Sequence, residues 1–333
     1  MKKNLLTASI LIAALGAICL LHACTPSYPR EKLPEAVKTI CETEYGMDVD
    51  VAVAGNTMGI YYPMQGLLNV GMGISDEAWD TISNLVLIAS RVTLSTDADI
   101  YFYCVVAQDA RLPELQVVII KYVDDVKRGM MRNISRNESF KRTIFSLNLT
   151  PQAKKERSIE KVFDKLNIEG ATREKVMDEF FRSPPTKLSD IGYWRDNFYL
   201  KDITMEEFLS EQIANRIKLE FTSNKELAKI FMFKASECTF IPEGDLGYFV
   251  LAFKIADQDP GAGIAVLNRQ KIEEILTIAN TVLDGYKFKK FSSLIMDDQL
   301  RNARLTVNRD NLLNFKKKRL SVKETVQAPY GYF

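Results

Sequence analysis

The same order of apolar patterns occurs twice along the chain, and this repeat constrains the fold more than any other sequence feature. In residues 34–132, helical spacing alternates with the two-residue period of half-buried strands. The predicted elements there are a helix over 34–44, strands over 49–53 and 58–62, a helix from about 75, and strands over 100–107 and 115–123. The order is therefore α-β-β-α-β-β.

Residues 197–323 repeat this order. Thr204 and Glu207 form a capping-box signal for a helix that runs to about residue 219, and Asn268 can cap a second helix. Strand-like runs cover residues 227–239, 247–255, 288–296 and 303–307. The copies share little identity, so the predicted internal duplication depends on element order and spacing. We predict an α+β protein of two α-β-β-α-β-β modules, in which two helices cover the apolar face of each sheet.

Residues 133–196, between the copies, are predicted to be a helical connector. Its apolar stripes are Ile159, Val162, Phe163 and Leu166, then Val176, Met177, Phe180 and Phe181. An aromatic cluster follows, formed by Tyr193, Trp194, Phe198 and Tyr199. Such a cluster is typical of a core or a domain interface, and the alternative is an exposed platform for a partner or ligand. Residues 324–333 are predicted to be a free tail, or a short peptide that adds an edge strand to a partner.

The α-β-β-α-β order is similar to that of BON domains, which occur in envelope and lipid-associated proteins. Each module is about 100 residues long, a normal size for a small α+β domain. The resemblance concerns element order and includes no glycine motif. It therefore implies a fold and carries no function.

The N-terminus is typical of an export signal. Lys2 and Lys3 precede an apolar stretch over residues 5–21, and residues 1–23 are predicted to be a signal peptide. The sequence Leu21-His22-Ala23-Cys24 resembles the lipobox of bacterial lipoproteins. The resemblance implies cleavage before Cys24, acylation of Cys24, a spacer over residues 24–33 and, because Thr25 replaces the Asp of inner-membrane retention, an outer-membrane location facing the periplasm. The alternative is an uncleaved or ordinarily cleaved leader, with Cys24 a plain thiol.

Histidine and net charge exclude several kinds of site. The single histidine, His22, lies in the predicted leader, so the remaining chain lacks the imidazole of Ser-His-Asp, Cys-His and most zinc sites. Without Lys2 and Lys3, 42 of the 44 basic residues remain against 43 acidic ones. This near neutrality argues against a nucleic-acid partner. We predict no catalytic residues, no metal and no cofactor.

Three cysteines remain after the leader: Cys41, Cys104 and Cys238. They are too few and too scattered for a cysteine metal cluster. Because Cys41 and Cys104 belong to the same predicted module, they are the pair that a disulfide would join in an oxidising envelope. The alternative is that both are small hydrophobic residues of the core.

Charged residues give two further hypotheses. Asp97, Asp99, Asp124 and Asp125 flank the third and fourth strands, where they can be acid–base groups for glycan hydrolysis or ordinary turn and edge residues. Lys316, Lys317, Lys318 and Arg319 form the densest basic run, which can contact anionic lipid headgroups or be a solvated segment. The glycine-rich stretch 257–265 is predicted to be a strand-to-helix turn rather than a phosphate or calcium loop.

The predicted function is that of an exported bacterial lipoprotein, tethered by its lipid to a membrane. In this interpretation the folded part is a non-catalytic binding or scaffolding component of the cell envelope, and its partner is another envelope protein. One alternative is a carrier or sensor of a small apolar or lipid ligand. The other is a carboxylate-based hydrolase of envelope glycans.

Overall fold

The computed structural model describes residues 28–69, 71, 73–154, 165, 170–182, 184–194, 197–258 and 263–333. These residues form two compact units. The first module comprises the described residues up to Met131 together with Ser146–Lys201, and the second comprises Arg132–Phe145 together with Asp202–Phe333. Both modules contain helices and strands, which confirms the α+β class. Among the described residues, no helix combines the length and apolar character that a bilayer crossing requires.

The first module contains a five-stranded sheet of order β1-β2-β3-β4-β5. Up to residue 201 the elements are α1 (Leu33–Tyr45), β1 (Asp50–Ala54), β2 (Thr57–Met64), α2 (Asp76–Leu94), β3 (Phe102–Asp109), β4 (Leu115–Tyr122), α3 (Val123–Met130), α4 (Arg136–Lys141), β5 (Ile144–Leu149), α5 (Ala171–Arg182), β6 (Gly192–Trp194) and β7 (Asn197–Tyr199). β1 and β2 are antiparallel, β2 and β3 are parallel, and β3 and β4 are antiparallel.

Local sequence explains the ends of α1 and α2. Pro34 stands in the first turn of α1, where proline is favoured, and Gly46 ends that helix in the left-handed conformation at φ 64°. The Ser75 hydroxyl oxygen accepts a hydrogen bond from the Ala78 amide at 3.2 Å and caps α2. Both helices contact the sheet, and their apolar stripes are buried.

The other face of the first sheet is covered by the β6–β7 hairpin. The Tyr193 ring stacks on Tyr61 of β2, with centroids 3.7 Å apart and planes 3° apart. Gly59 of β2 lies against Phe198, since a Cβ atom on this glycine would be 2.7 Å from the ring. Side chains alternate between faces along a strand, so residues 59 and 61 point away from residues 58 and 60. The first sheet is therefore buried on both faces.

The second module contains a four-stranded sheet of order β11-β10-β9-β8. Its further elements are α6 (Met205–Ser223), α7 (Lys225–Ile230), β8 (Phe231–Glu243), β9 (Leu246–Asp257), α8 (Ile264–Gly285), β10 (Ser293–Asp298), β11 (Ala303–Asn308), α9 (Arg309–Lys316) and α10 (Val322–Thr325). The predicted capping box at Thr204 and Glu207 is present at the start of α6. β8 and β9 are antiparallel, β9 and β10 are parallel, and β10 and β11 are antiparallel.

The two modules have the same α-β-β-α-β-β order, the same spatial order of these four strands and the same pairing directions. Each also continues into a short helix, α3 or α9. Asp109 ends β3 and Asp298 ends β10, and in both cases Oδ1 accepts hydrogen bonds from the amides two and three residues later. The modules are thus a structural repeat, and their common origin by duplication stays a prediction.

Several predicted boundaries are wrong. The segment 133–196, predicted to be a helical connector, also contains strands β5 and β6. The strand predicted over 227–239 begins only at Phe231, because the Asn224 side chain caps α7, and the strand predicted from residue 288 begins at Ser293. The first connector stripe, 159–166, lies outside the described residues, as does part of the 257–265 turn.

The C-terminal tail was predicted to be free, but it packs on the second module. The Gln327 backbone exchanges hydrogen bonds with Thr306 at the β11 edge. The Tyr332 side chain is only 6% exposed, and its hydroxyl donates to Asp298 Oδ2 at 2.8 Å. Asn268 Nδ2 donates to the Tyr332 carbonyl at 2.7 Å. Apolar contacts and hydrogen bonds therefore hold the tail on the module, although a position at the chain end suggests a free segment.

Candidate functional site

The aromatic cluster predicted as core or as a platform belongs to the core of the first module. Tyr193 is stacked on the sheet, and its hydroxyl donates to Asp50 Oδ2 at 2.5 Å. Phe198 packs on Gly59, and Tyr199 is buried. The Trp194 side chain lies outside the described residues. This cluster serves to cover the sheet.

Of the two alternatives for Cys41 and Cys104, the structure has the core and not the disulfide, because both are free thiols buried in the core. Burial, with a smaller effect of the Glu44 carboxylate, raises the pKa of Cys41 to about 11. Burial also raises the pKa of Cys104 and of Cys238. Thiols of this kind are protonated and unreactive at neutral pH. Cys24, the predicted lipidation site, lies outside the described residues.

The four carboxylates proposed for hydrolysis differ in their exposure to solvent. Asp97, Asp99 and Asp124 are exposed, while Asp125 is buried 3.7 Å from Arg128. Asp97 Oδ1 accepts a hydrogen bond from the Arg30 amide. The contacts of Asp97 and Asp125 therefore stabilise the local structure and form no acid–base pair. The described residues contain no group of three or more Asp, Glu, Cys or His side chains that could hold a metal ion.

Three residues of the predicted basic run, Lys316, Lys318 and Arg319, line a groove between α8 and the α9–α10 segment, which we call the basic groove. Lys317, the fourth, is exposed and is not part of its lining. The groove encloses about 640 Å³. Its charged lining consists of Arg269 and Glu273 from α8, Lys316 from the end of α9, and Lys318 and Arg319 from the turn after it. Lys316 is already paired with Asp284, so three further cations, Arg269, Lys318 and Arg319, line the groove with one carboxylate. The groove therefore suits a ligand with phosphate or carboxylate groups.

The path of the chain after α9 brings two of these cations into the basic groove. The Lys318 amide donates to the Phe315 carbonyl at 2.9 Å, and the Arg319 amide donates to Asn314 at 3.0 Å, as in a Schellman motif. Lys318 occupies the left-handed position of this motif at φ 56°. A side chain there costs about 1–2 kcal/mol, which is why glycine is usual.

The contact between α8 and α9 separates the basic groove from a second one. Asn280 Nδ2 donates to the Leu312 carbonyl at 2.6 Å, and Lys316 pairs with Asp284. Beyond this contact lies a groove of about 500 Å³, which we call the apolar groove. Leu283, Phe288, Phe291, Leu312 and Leu313 form its apolar lining, and Lys287, Lys289 and Arg309 lie among its charged residues.

A smaller pocket of about 220 Å³ contains Glu220 and Glu274. Burial raises the pKa of Glu274, and the charges of Glu220 and Glu273 raise it further. A carboxyl group with a raised pKa near a second carboxylate is a pattern found in acid–base catalysis. However, the pocket is smaller than the roughly 300–1,000 Å³ usual for ligand sites, so it supports the hydrolase hypothesis poorly.

A buried ionic network lies at the carboxyl ends of the parallel strands β9 and β10. The Lys271 side chain is 1% exposed, and its Nζ lies 3.1 Å from Asp257 Oδ1. Arg301 pairs with the other carboxylate oxygen of Asp257. Burial inside the second module, with partners already in place, gives this network a structural role.

Sequence reasoning found one side of the basic groove and missed the other. Lys316, Lys318 and Arg319 were visible as a run, whereas Arg269 and Asn280 lie on a helix that begins far earlier in the chain. The apolar groove was missed altogether. Its best sequence signal is the run of three lysines and two phenylalanines over 287–291, part of which the strand pattern predicted from residue 288 covers.

Comparison of the chain with protein-family models finds no match. Neither the curated proteins nor the solved structures give a significant match to it.

Proposed function

We propose that this chain is a lipid-tethered, non-catalytic binding component of a bacterial envelope. In this proposal the protein is exported, anchored through Cys24 to the outer membrane, and faces the periplasm. The basic groove of the second module then holds an anionic group, phosphate or carboxylate, of a neighbouring envelope component. The observation that carries the proposal is the convergence of Arg269, Lys318 and Arg319 on one groove.

Charge distribution supports a binding role for this surface. The chain as a whole is close to neutral, so a local excess of cations is a specific feature rather than a general one. Lys318 and Arg319 are exposed and have no ion-pair partner in the part of the chain that the structure describes. Their charges therefore remain available to a ligand.

The groove also favours binding over reaction chemistry. Guanidinium groups stay protonated at neutral pH and bind oxyanions in a fixed geometry, without exchanging protons. The acid that lines the groove, Glu273, is exposed. A lipid tether would add a high effective concentration to such binding, so modest affinity suffices.

The test is a pull-down from native membranes with the intact lipoprotein, with proteins and lipids identified by mass spectrometry. A Lys318→Gln/Arg319→Gln variant removes two groove charges. A Lys234→Gln/Lys254→Gln variant removes two exposed charges from the sheet of the same module and is the matched control. At about 1 kcal/mol per contacting charge, the groove variant should weaken binding roughly 30-fold.

The anchor is tested in the same experiment with Cys24→Ala. We expect this variant to lose acylation, seen as a mass difference, and to leave the membrane fraction. An anionic component recovered equally with the groove variant and the control would contradict the assignment of the basic groove. A lipoprotein whose Cys24 carries no acyl chain would contradict the tether.

A further inference from the structure

The apolar groove of the second module combines an apolar floor with a cationic rim, and we infer that it binds the hydrocarbon chain of a single-chain amphipathic anion of the fatty-acid class. The inference rests on the proposed function, because it names a ligand for the same α8–α9 surface. It concerns the groove on the opposite side of the Asn280–Leu312 contact from the basic groove.

The floor of the apolar groove reaches the core of the module. Leu283, Phe291 and Leu312 line it and are all buried. Phe288 and Phe291 lie with their ring centroids 6.3 Å apart and their planes nearly parallel at 14°. Because Leu283, Phe291 and Leu312 are already buried, a hydrocarbon chain would gain free energy mainly from the apolar area of Phe288 and Leu313 that it removes from water.

The groove also has an apolar side chain that is open to solvent. The Leu313 side chain is 40% exposed at its edge. A ligand made only of phosphate or sugar would have no apolar group to pack against this wall and floor. The volume of about 500 Å³ lies within the range of small-molecule sites.

The rim carries the positive charge that an anionic head requires. Lys287 and Lys289 are exposed and have no ion-pair partner among the residues described. The two acids of the rim are already engaged, since Asp284 pairs with Lys316 and Asp310 lies 3.8 Å from Arg309. The free charge at the mouth is therefore positive.

The backbone holds one of these lysines in place. The Lys287 amide donates to Asp284 and the Phe288 amide donates to Leu283, both at 2.9 Å, in a Schellman motif that ends α8. Lys287 occupies its left-handed position at φ 54°. In both grooves a lysine thus occupies a backbone position that favours glycine: Lys318 lines the basic groove and Lys287 lines the apolar groove.

The experiment uses the intact lipoprotein in phosphatidylcholine vesicles with a photoactivatable palmitate analogue, and mass spectrometry maps the cross-linked peptides. We expect cross-links to concentrate on residues 283–291 and 309–313. Leu313→Arg places a charge on the apolar wall and should reduce them about tenfold. Leu87→Arg, at an exposed leucine of the first module, is the matched control and should not reduce them.

The role of the rim is tested separately with Lys287→Gly, which removes the charge and suits the left-handed backbone. It should reduce cross-linking of the palmitate analogue and leave cross-linking of its methyl ester unchanged. Hydrogen exchange of β9 and β10 checks that each variant is folded. Cross-links spread evenly over the chain, or unaffected by Leu313→Arg in a folded protein, would overturn the inference.

The outcomes also separate this inference from the proposed function. If the Lys318→Gln/Arg319→Gln variant loses its envelope component while palmitate does not cross-link to the apolar groove, this inference alone fails. If palmitate cross-links there while the basic-groove variant behaves like its control, the proposed function fails in its assignment of the basic groove.

Discussion

The sheet of the first module is buried on both faces, whereas the sheet of the second module has helices on one face and partly exposed side chains on the other. In β3 the run from Phe102 to Val106 is buried without interruption. In β9, buried Phe249, Leu251 and Phe253 alternate with more exposed neighbours. The same topology therefore supports two different sequence patterns, and the pattern depends on what covers the sheet.

The cover of the first sheet comes from outside the repeated elements. The β6–β7 hairpin follows the repeat in sequence and packs on Gly59 and Tyr61. No described segment of the second module takes the corresponding place. The second module has instead a buried ionic network formed by Asp257, Lys271 and Arg301, so the modules should respond differently to matched substitutions.

The largest expected effect is in the ionic network of the second module. Asp257→Ala leaves the buried Lys271 ammonium without its carboxylate and should destabilise this module by about 3–5 kcal/mol. Asp297→Ala removes a more exposed partner of Arg304 and should cost less than about 1 kcal/mol. Hydrogen exchange of β9 and β10, compared with β3 and β4, measures each module separately. Equal losses in the two variants would show that burial of the pair is unimportant.

The second effect tests the cover of the first sheet. Gly59→Val forces side-chain atoms against Phe198, and overpacking of this kind costs about 1–3 kcal/mol. The control is Ala252→Val, on the partly exposed face of β9, where we expect a change within about 0.5 kcal/mol. Loss of amide protection in the β6–β7 hairpin should accompany the first variant only. A hairpin that stays protected would mean that its contact with β2 is dispensable.

A smaller effect is expected where the hairpin is tied to β1. The hydrogen bond from Tyr193 lowers the pKa of Asp50, and Lys38 lowers it further. Tyr193→Phe should destabilise the first module by about 0.5–1.5 kcal/mol at neutral pH. Because the folded-state pKa is lowered, this contribution is complete above the unfolded-state value of about 3.9 and is lost as the pH falls through the folded-state pKa. The difference between variant and wild type should therefore shrink in acid, which denaturant titrations at several pH values can measure.

The smallest effect has the opposite sign. Lys318→Gly relieves a left-handed side chain and should stabilise the second module by up to about 1 kcal/mol, after the entropy cost of glycine. Lys317→Gly removes a neighbouring charge at φ −77°, where no strain exists, and should destabilise it by about 0.5–1 kcal/mol. Thermal unfolding distinguishes the two. Stabilisation by Lys318→Gly together with weaker ligand capture would mean that the lysine is kept for binding.

The order of elements could be predicted from the sequence because helical and strand periodicities differ, and Thr204–Glu207 and Gly46 mark helix ends. The cover of the first sheet could not, since the aromatic residues of β6 and β7 give the same pattern in a core as in an exposed platform. The continuous apolar run in β3 was the available signal for a sheet buried on both faces.

For the sites, too, local patterns could be predicted from the sequence and packing between elements could not. The basic run at 316–319 was visible because its members are adjacent in sequence, but Arg269 joins it only through the packing of α9 on α8. A shared module made a disulfide between Cys41 and Cys104 one of two alternatives, but sharing a module does not fix the distance between two thiols. Proximity in sequence thus predicts which side chains lie together within one element, but it does not predict which side chains from different elements meet.

The division of the chain has a consequence for any attempt to take the protein apart. Residues 132–145 belong to the second module and residues 146–201 to the first, so the chain passes from one module to the other three times. A cut after Met131 would leave the first fragment without β5 and the β6–β7 hairpin, with the bare face of its sheet exposed to solvent. Such a fragment should aggregate alone and regain its native state only when the second fragment supplies the missing strands, as in fragment complementation.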